Sequence, residues 1–477
     1  MLKVKLINHK LRYEVFHIIS LFYNKSEFNF IENEDECDLQ SGFDSINSKV
    51  YCRINRFNDK PIFYSEIIAV GDKKQFKSKI KLTLLKCLKE LTGKNIPWGI
   101  LVGIRPTKIV HESLKEGHSR ENVIQMLTKD YDMDIDKAEL TWEIAGNEAK
   151  FIESGKKDIS LYLGIPFCPT RCSYCSFTSN SITGRGDLVN NYLDSLLYEA
   201  EAMITYLKAN EYNIDTVYIG GGTPTSLNLF QLERILDAMD KLINLKTLRE
   251  FTIEAGRPDS IDKDKLNIIR ESGCKRISIN PQTMNDETLK SIGRMHTSKD
   301  VIHKYYMARE LGFDNINMDM IIGLPGEKER QIYNTINVLE RLRPDNITVH
   351  TMAIKRASIL SEQNYEVDHN MVKNMYDIAG KAIRDMDMYP YYMYRQKNMV
   401  SPLENIGYCK RDKECIYNIQ MISESISIVA LGADAVSKII FRDENRIERA
   451  ANVQDVREYN ARVDEMIASK IKLFETL

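Results

Sequence analysis

The chain has 477 residues, 43% hydrophobic and 28% charged, with a formal net charge of -2. This length allows two or three domains around a sizeable core, and the composition is that of an ordered globular protein. Near-neutral charge with no Lys or Arg block argues against wrapping nucleic acid or lying on an acidic membrane, and nine Cys without paired spacing fit a reducing compartment better than a disulfide framework.

The first ten residues alternate like a strand and lack the apolar core of a secretion signal. The apolar run from Val15 to Tyr23 is too short to span a bilayer, so a cytoplasmic protein is expected. Residues 1–95 read as a small α/β domain: a helix over 11–22, strands over 49–54 and 62–70, and a helix over 80–91. Residues 96–155, opening with Ile96-Pro-Trp-Gly99, read as a helical connector.

From residue 157 short β-branched runs alternate with helical patterns. Strands are expected over 161–165, 216–219, 250–254, 276–279, 315–321 and 346–350. The segment 230–245 shows why the intervening stretches read as helices. Leu232, Ile235, Leu236, Met239, Leu242 and Ile243 share one face of a 3.6-residue repeat, with Glu233, Arg234, Asp237 and Lys241 opposite. Consecutive βα units predict an α/β fold, with a parallel sheet curved into a partial or complete (β/α)6 barrel over 156–370. Residues 371–477, with the aromatic cluster Tyr389 to Tyr394 and a late helix near 453–470, read as a mixed cap over the open end of the sheet.

The polar signals fall at the predicted carboxyl ends of these strands, where parallel sheets carry chemistry. After the first strand stands Cys168-Pro-Thr-Arg-Cys172-Ser-Tyr-Cys175. Three thiols at this spacing can hold three irons of a 4Fe-4S cubane and leave the fourth iron open. A closed zinc site, for which no second ligand pair lies nearby, and a chance triplet of structural cysteines remain the alternatives. After the second strand, Gly220-Gly-Gly-Thr-Pro-Thr225 reads as a close backbone approach to a ligand or as a tight turn, and it matches neither a dinucleotide fingerprint nor a P-loop. Glu254 ends the third strand, Gln282 follows the fourth, Asp319 interrupts the apolar fifth, and His350 ends the sixth. Buried carboxylates must be paired or solvated, and Arg294 offers a fork suited to a carboxylate. Each could be structural; their gathering on one rim favours a site.

Together, Tyr162-Leu-Gly-Ile-Pro-Phe-Cys168, the triplet with Tyr174 before its last Cys, and the glycine motif resemble the radical S-adenosylmethionine (SAM) enzymes. More narrowly they resemble the oxygen-independent coproporphyrinogen III oxidase group and its HemZ, coproporphyrinogen dehydrogenase-like, branch. The resemblance spans about residues 155–440. It implies a radical SAM partial barrel in which Cys168, Cys172 and Cys175 ligate a 4Fe-4S cluster whose open iron is chelated by SAM. It also implies that Gly221, Gly222, Thr223, Glu254, Gln282, Arg294 and Asp319 contact that cofactor, and that Tyr162 and Tyr174 lie near the cluster. The activity it implies is hydrogen removal from a tetrapyrrole propionate by a 5'-deoxyadenosyl radical, with decarboxylation to a vinyl group, fed by an electron donor such as flavodoxin or ferredoxin. Lys355, Arg356, Arg395 and Lys397 are candidate partners for substrate carboxylates or solvated surface charges. The sequence departs from the group where Phe177 replaces a fourth Cys and where Gly164 replaces a histidine. The departure at Phe177, a position where the haem chaperone branch also has Phe, keeps a haem-binding or haem-delivery protein, or a haem-modifying enzyme, as alternatives, whereas Gly164 counts against the chaperone.

Overall fold

The alternating N-terminal residues form strand β1 (Leu2–Ile7), followed by helix α1 (Arg12–Ile19) and strands β2 (Phe28–Phe30), β3 (Leu39–Asp44), β4 (Lys49–Ile54) and β5 (Ile62–Ile67). Four helices follow: α2 (Lys73–Thr92), α3 (Thr107–Lys115), α4 (Arg120–Asp130) and α5 (Ile135–Ile152). The computed structural model describes all residues except 33–36, 56–59, 70, 104, 154, 176–179, 355–357, 359–364, 366, 397 and 445. It divides into two units, Met1–Ala145 and Gly146–Leu477.

In the first unit the sheet order is β2-β1-β3-β4-β5. Val4, Leu39, Val50 and Ile54 pack with Val15, Ile18 and Ile19 of α1 and Ile80, Leu84 and Leu88 of α2. Helix α2 starts seven residues before the periodic stretch because Asp72 caps it, accepting from the Gln75 N–H. Strands β2 and β3 were not anticipated: β2 has three residues, and Ser41-Gly42 interrupts the apolar alternation of β3.

The second unit is built on one 11-stranded sheet. Strand β6 (Asp158–Ile165) leads to a two-residue pair, β7 (Phe167–Cys168) and β8 (Asn180–Ser181). Then come α6 (Gly186–Ala209), β9 (Asn213–Gly221), α7 (Leu229–Ile243), β10 (Glu250–Glu254), α8 (Lys263–Glu271), β11 (Arg276–Ser278), α9 (Asp286–Ser291), α10 (Ser298–Glu310), β12 (Asn315–Ile322), α11 (Glu329–Leu342) and β13 (Asn346–Thr351). Strands β6, β9, β10, β11, β12 and β13 are adjacent and parallel, as the βα pattern requires. Their crossovers bury the predicted faces; in α7 these are Leu232, Ile235, Leu236 and Met239, with Asn228 and Gln231 forming a capping box.

The C-terminal segment adds α12 (His369–Asp385), β14 (Tyr389–Tyr394), β15 (Asn405–Cys409), α13 (Ile416–Ser423), β16 (Ser427–Leu431), β17 (Val436–Phe441), β18 (Arg446–Ala451), α14 (Val456–Ala461) and α15 (Val463–Phe474). Its strands join the central sheet at both edges. β15 pairs antiparallel with β13, and β16 pairs parallel with β6. Both flanks of the six-strand core are thereby hydrogen-bonded, and the sheet ends at β14 and β18 without closing. Helix α13 lies against β9 and β14, and its Gln420 Oε1 accepts from Ser160 Oγ of β6 at 2.8 Å. Among the described residues no helix is long and apolar enough to cross a membrane.

Candidate active site

All the expected cluster and cofactor residues except Tyr162 line a single cavity of about 410 Å³ at the carboxyl ends of the parallel strands. Tyr162, on β6, stands behind that wall. Its ring stacks on Tyr218, which does line the cavity, and on Tyr417 of α13, with centroids 6.2 and 6.3 Å away.

The short β7–β8 pair brackets the cysteine loop. Cys168 and Cys172 are buried and Cys175 is half-buried. The Ser173 N–H donates to the Ile292 carbonyl at 3.1 Å, and Thr170 Oγ1 donates to the Gly293 carbonyl at 3.1 Å, tying the loop to the turn after α9. Cys168 Sγ lies 3.4 Å from Thr223 Oγ1, and Arg257 Nη1 donates to Cys172 Sγ at 3.4 Å. Burial pushes the Cys168 thiol up to about 11; Thr223 and Arg257 oppose the shift, and Cys175 and Cys172 add to it. A ligated metal would have to displace that proton. Among the described residues no three His, Cys, Asp or Glu side chains converge on one point as a single ion requires. A cubane, whose thiolates each bind a different iron, does not require such convergence.

The glycine motif brings backbone against the cysteine loop. Gly221 has a φ of +111°, and the Gly222 N–H donates to the Ile165 carbonyl at 2.8 Å. A Cβ on Gly222 would lie 2.6 Å from the Phe167 carbonyl oxygen and 3.0 Å from Cys168 Sγ, so only glycine fits here.

Glu254 accepts from the Tyr218 hydroxyl at 2.7 Å. Burial pushes its carboxyl up to about 7; Tyr218, the Gly221 N–H and Arg276 act against the rise, and Asp319 adds to it. Asp319 is oppositely placed. Burial would raise it, but His350, Asn317 and Thr348 outweigh that and hold it below its ordinary value. Asn317 Nδ2 and Asn280 Nδ2 donate to its two oxygens at 2.7 and 2.8 Å, and His350 Nε2 lies 3.6 Å away. The far ring nitrogen of His350 is 3.3 Å from the Tyr394 hydroxyl.

Arg294 is 7% exposed and donates to the Tyr174 hydroxyl at 3.0 Å and to the Gly256 carbonyl at 3.1 Å. Its Nε is buried without a partner, as is Gln282 Oε1. Gln282 also carries strain for a non-glycine residue, with a φ of +64°, while its backbone bridges to β12. Two orphaned polar atoms, three cysteines and a glycine cradle lining one cavity suit a polar ligand seated beside a cluster.

Sequence reasoning missed Arg257, Asn280, Asn317 and Tyr218. The last three stand two residues from flagged positions on the same strand face or its continuation, so period-two alternation would have found them. Arg257 lies outside a regular strand and carries no such periodic signal. Of the expected substrate cations, Arg395 does not line the cavity; Lys355, Arg356 and Lys397, like Phe177, lie outside the described residues.

The radical SAM superfamily model matches residues 162–339, covering the cysteine loop and the strand ends just described, and the protein is of that class. The superfamily uses a 4Fe-4S cluster and S-adenosylmethionine. A relative 39% identical over 411 residues, covering 85% of this chain and 82% of its own length, is the oxygen-independent coproporphyrinogen-III oxidase-like protein HemZ of Bacillus subtilis (strain 168). The chain belongs to that HemZ-like family. The heme chaperone HemW of the same organism is 36% identical over 201 residues, 42% of this chain and 52% of HemW. Among solved structures, coproporphyrinogen III oxidase (HemN) from Escherichia coli matches with a TM-score of 0.53 at 21% identity, over 68% of this chain and 73% of that one, a likeness of fold.

Proposed function

We propose that the protein is a radical SAM oxidoreductase acting on a tetrapyrrole, and that its reaction is the oxygen-independent oxidative decarboxylation of coproporphyrinogen III to protoporphyrinogen IX. The observation that carries this reading is the kinship with the oxidase-like HemZ over most of both chains, joined to a cavity that holds the cysteines and both strand carboxylates, Glu254 and Asp319. Cys168, Cys172 and Cys175 would hold the cluster, and Gly221, Gly222, Thr223, Glu254, Gln282, Arg294 and Asp319 would hold the cofactor. When bound, these groups together supply a one-electron cleavage that gives a carbon radical able to take hydrogen from an unactivated position.

The residues of this chain bind and orient. Gly222 lets backbone approach the Cys168 sulfur, Arg294 presents an unused N–H and Gln282 an unused oxygen to the cofactor, and the buried walls limit water. Asp319, kept ionised, fixes the His350 ring against Tyr394 in the cavity wall.

The test is an anaerobic assay of reconstituted protein with reductant, SAM and coproporphyrinogen III, with products resolved by mass. Protoporphyrinogen and carbon dioxide are expected; 5'-deoxyadenosine without a vinyl product would sink the decarboxylase reading. The HemW kinship supports a second reading, a haem-binding or haem-delivery protein, and tight stoichiometric haem binding without turnover would decide for it. Cys172→Ala should abolish both the iron-sulfur absorbance and cofactor cleavage, and retention of either would refute the ligand assignment.

A further inference from the structure

Arg257 has no part in the reading above, yet each of its five N–H groups has an acceptor. Nε and one Nη2 hydrogen go to the two oxygens of Asp259 at 2.9 and 2.7 Å. The other Nη2 hydrogen goes to Thr170 Oγ1 at 2.9 Å, and Nη1 reaches the Thr170 carbonyl at 3.2 Å and Cys172 Sγ at 3.4 Å. A guanidinium has five N–H donors in a rigid fork, so this allocation leaves none for solvent, and the residue is 3% exposed. Asp259 stands two residues along the chain, in the 3-10 turn Pro258–Ser260, and its bidentate grip fixes the plane of the fork. His296 Nδ1 lies 3.7 Å from the same carboxylate on a ring that is wholly buried. One side chain therefore clamps the loop between the first two cysteines and aims a charged donor at the sulfur of the second.

We infer that Arg257 is a positioning residue that sets the reduction potential of the cluster through its hydrogen bond to the Cys172 thiolate; this rests on the reading of Cys172 as a ligand. A donor at a ligating sulfur draws electron density out of the sulfur-iron bond and favours the more negative, reduced cluster. Asp259 works against it: by neutralising much of the guanidinium charge it weakens the donor that it holds in place. Loss of the two groups should therefore move the potential in opposite directions. A role limited to holding the loop predicts no such opposition.

The experiment compares anaerobically reconstituted wild type with Arg257→Gln, Asp259→Asn and Thr170→Ala. It measures iron and sulfide content and the midpoint potential by EPR-monitored titration without SAM. For Arg257→Gln the ratio of reduced to oxidised cluster at a fixed solution potential is expected to fall about tenfold, equivalent to about 59 mV for one electron. Asp259→Asn should raise that ratio, and Thr170→Ala, which removes a loop anchor but spares the sulfur, should leave it unchanged. Potentials that stay put, or that shift in the same direction in the Arg257 and Asp259 variants, overturn the inference. If Arg257→Gln fails to hold a cluster, the sign of the Asp259→Asn shift decides alone. Cys172→Ala run alongside separates the two levels. Full cluster content in that variant overturns the ligand reading and the inference together, whereas loss of cluster with unmoved potentials elsewhere overturns the inference only.

Discussion

Glu254→Gln separates a carboxylate kept for its ligand from one kept for the fold. In the folded protein burial holds this group at about 7 against an ordinary value of 4.5, and each tenfold in proton affinity is worth about 1.4 kcal/mol. Above pH 7 the ionised, desolvated carboxylate thus costs the fold up to about 3 kcal/mol, softened by water in the cavity it faces. Glutamine keeps an acceptor for the Tyr218 hydroxyl but turns an amide toward the Gly221 N–H, giving back about 1 kcal/mol. About 2 kcal/mol of net stabilisation remains at pH 8. The sign follows from the raised value. Between pH 4.5 and 7 the unfolded chain releases the proton and the folded one keeps it, so wild-type stability falls as pH rises through this window and levels off above it. The glutamine variant lacks that fall. Unfolding curves of both proteins at pH 5 and pH 8 should diverge only at the higher pH, and parallel behaviour at both would refute the reasoning. SAM binding should respond in the opposite sense, weakening in the variant at pH 8 and changing little at pH 5.5, where the wild-type carboxyl is already protonated.

Gly222→Ala should push the Phe167 carbonyl and Cys168 apart, costing about 1–3 kcal/mol and lowering iron content after reconstitution; wild-type iron loading would count against the cradle. Gln282→Gly removes the strain at a φ of +64°, worth about 1–2 kcal/mol, while adding flexibility worth about 0.5–1 kcal/mol. Its stability should stay near wild type while SAM affinity, measured by calorimetry, falls roughly fivefold to tenfold for one lost hydrogen bond. Lys470→Met removes the counter-ion of Glu199, leaving it only its hydrogen bonds from Tyr459, Asn452 and the Gly432 N–H, where both side chains are fully buried and Lys470 Nζ lies 2.6 Å from Glu199 Oε1. A loss of about 3–5 kcal/mol in denaturant unfolding is expected, with partial recovery in the double variant Glu199→Gln/Lys470→Met.

The six central strands were legible because short β-branched runs bounded by helical periods mark consecutive βα units. Glu254 and Asp319 stood out as isolated charges in such runs, and the cysteine spacing speaks for itself. Strand β16 is as apolar as the others, yet it joins the sheet beside β6 out of sequence order, and nothing in its own residues names that partner. Tyr162 was expected near the cluster from the motif around it, whereas α13 supplies Tyr417 to stack on it, a tertiary event that local pattern does not encode. The left-handed backbone of Gln282 was equally hidden, because its conformation is imposed by bonds from Gln282 N to the Asp319 carbonyl and from Ile321 N to the Gln282 carbonyl rather than by residue type.

The strand that carries the chain into the cysteine loop has β9 on one side and β16 on the other, and β16 is encoded more than half the chain later. During synthesis on the ribosome β6 therefore emerges with one bare edge and keeps it until residues 427–431 have left the exit tunnel. Only then can the strand beneath the cysteines be held from both flanks. A nascent chain halted before β16 would present the cysteine loop on a strand paired at one edge only.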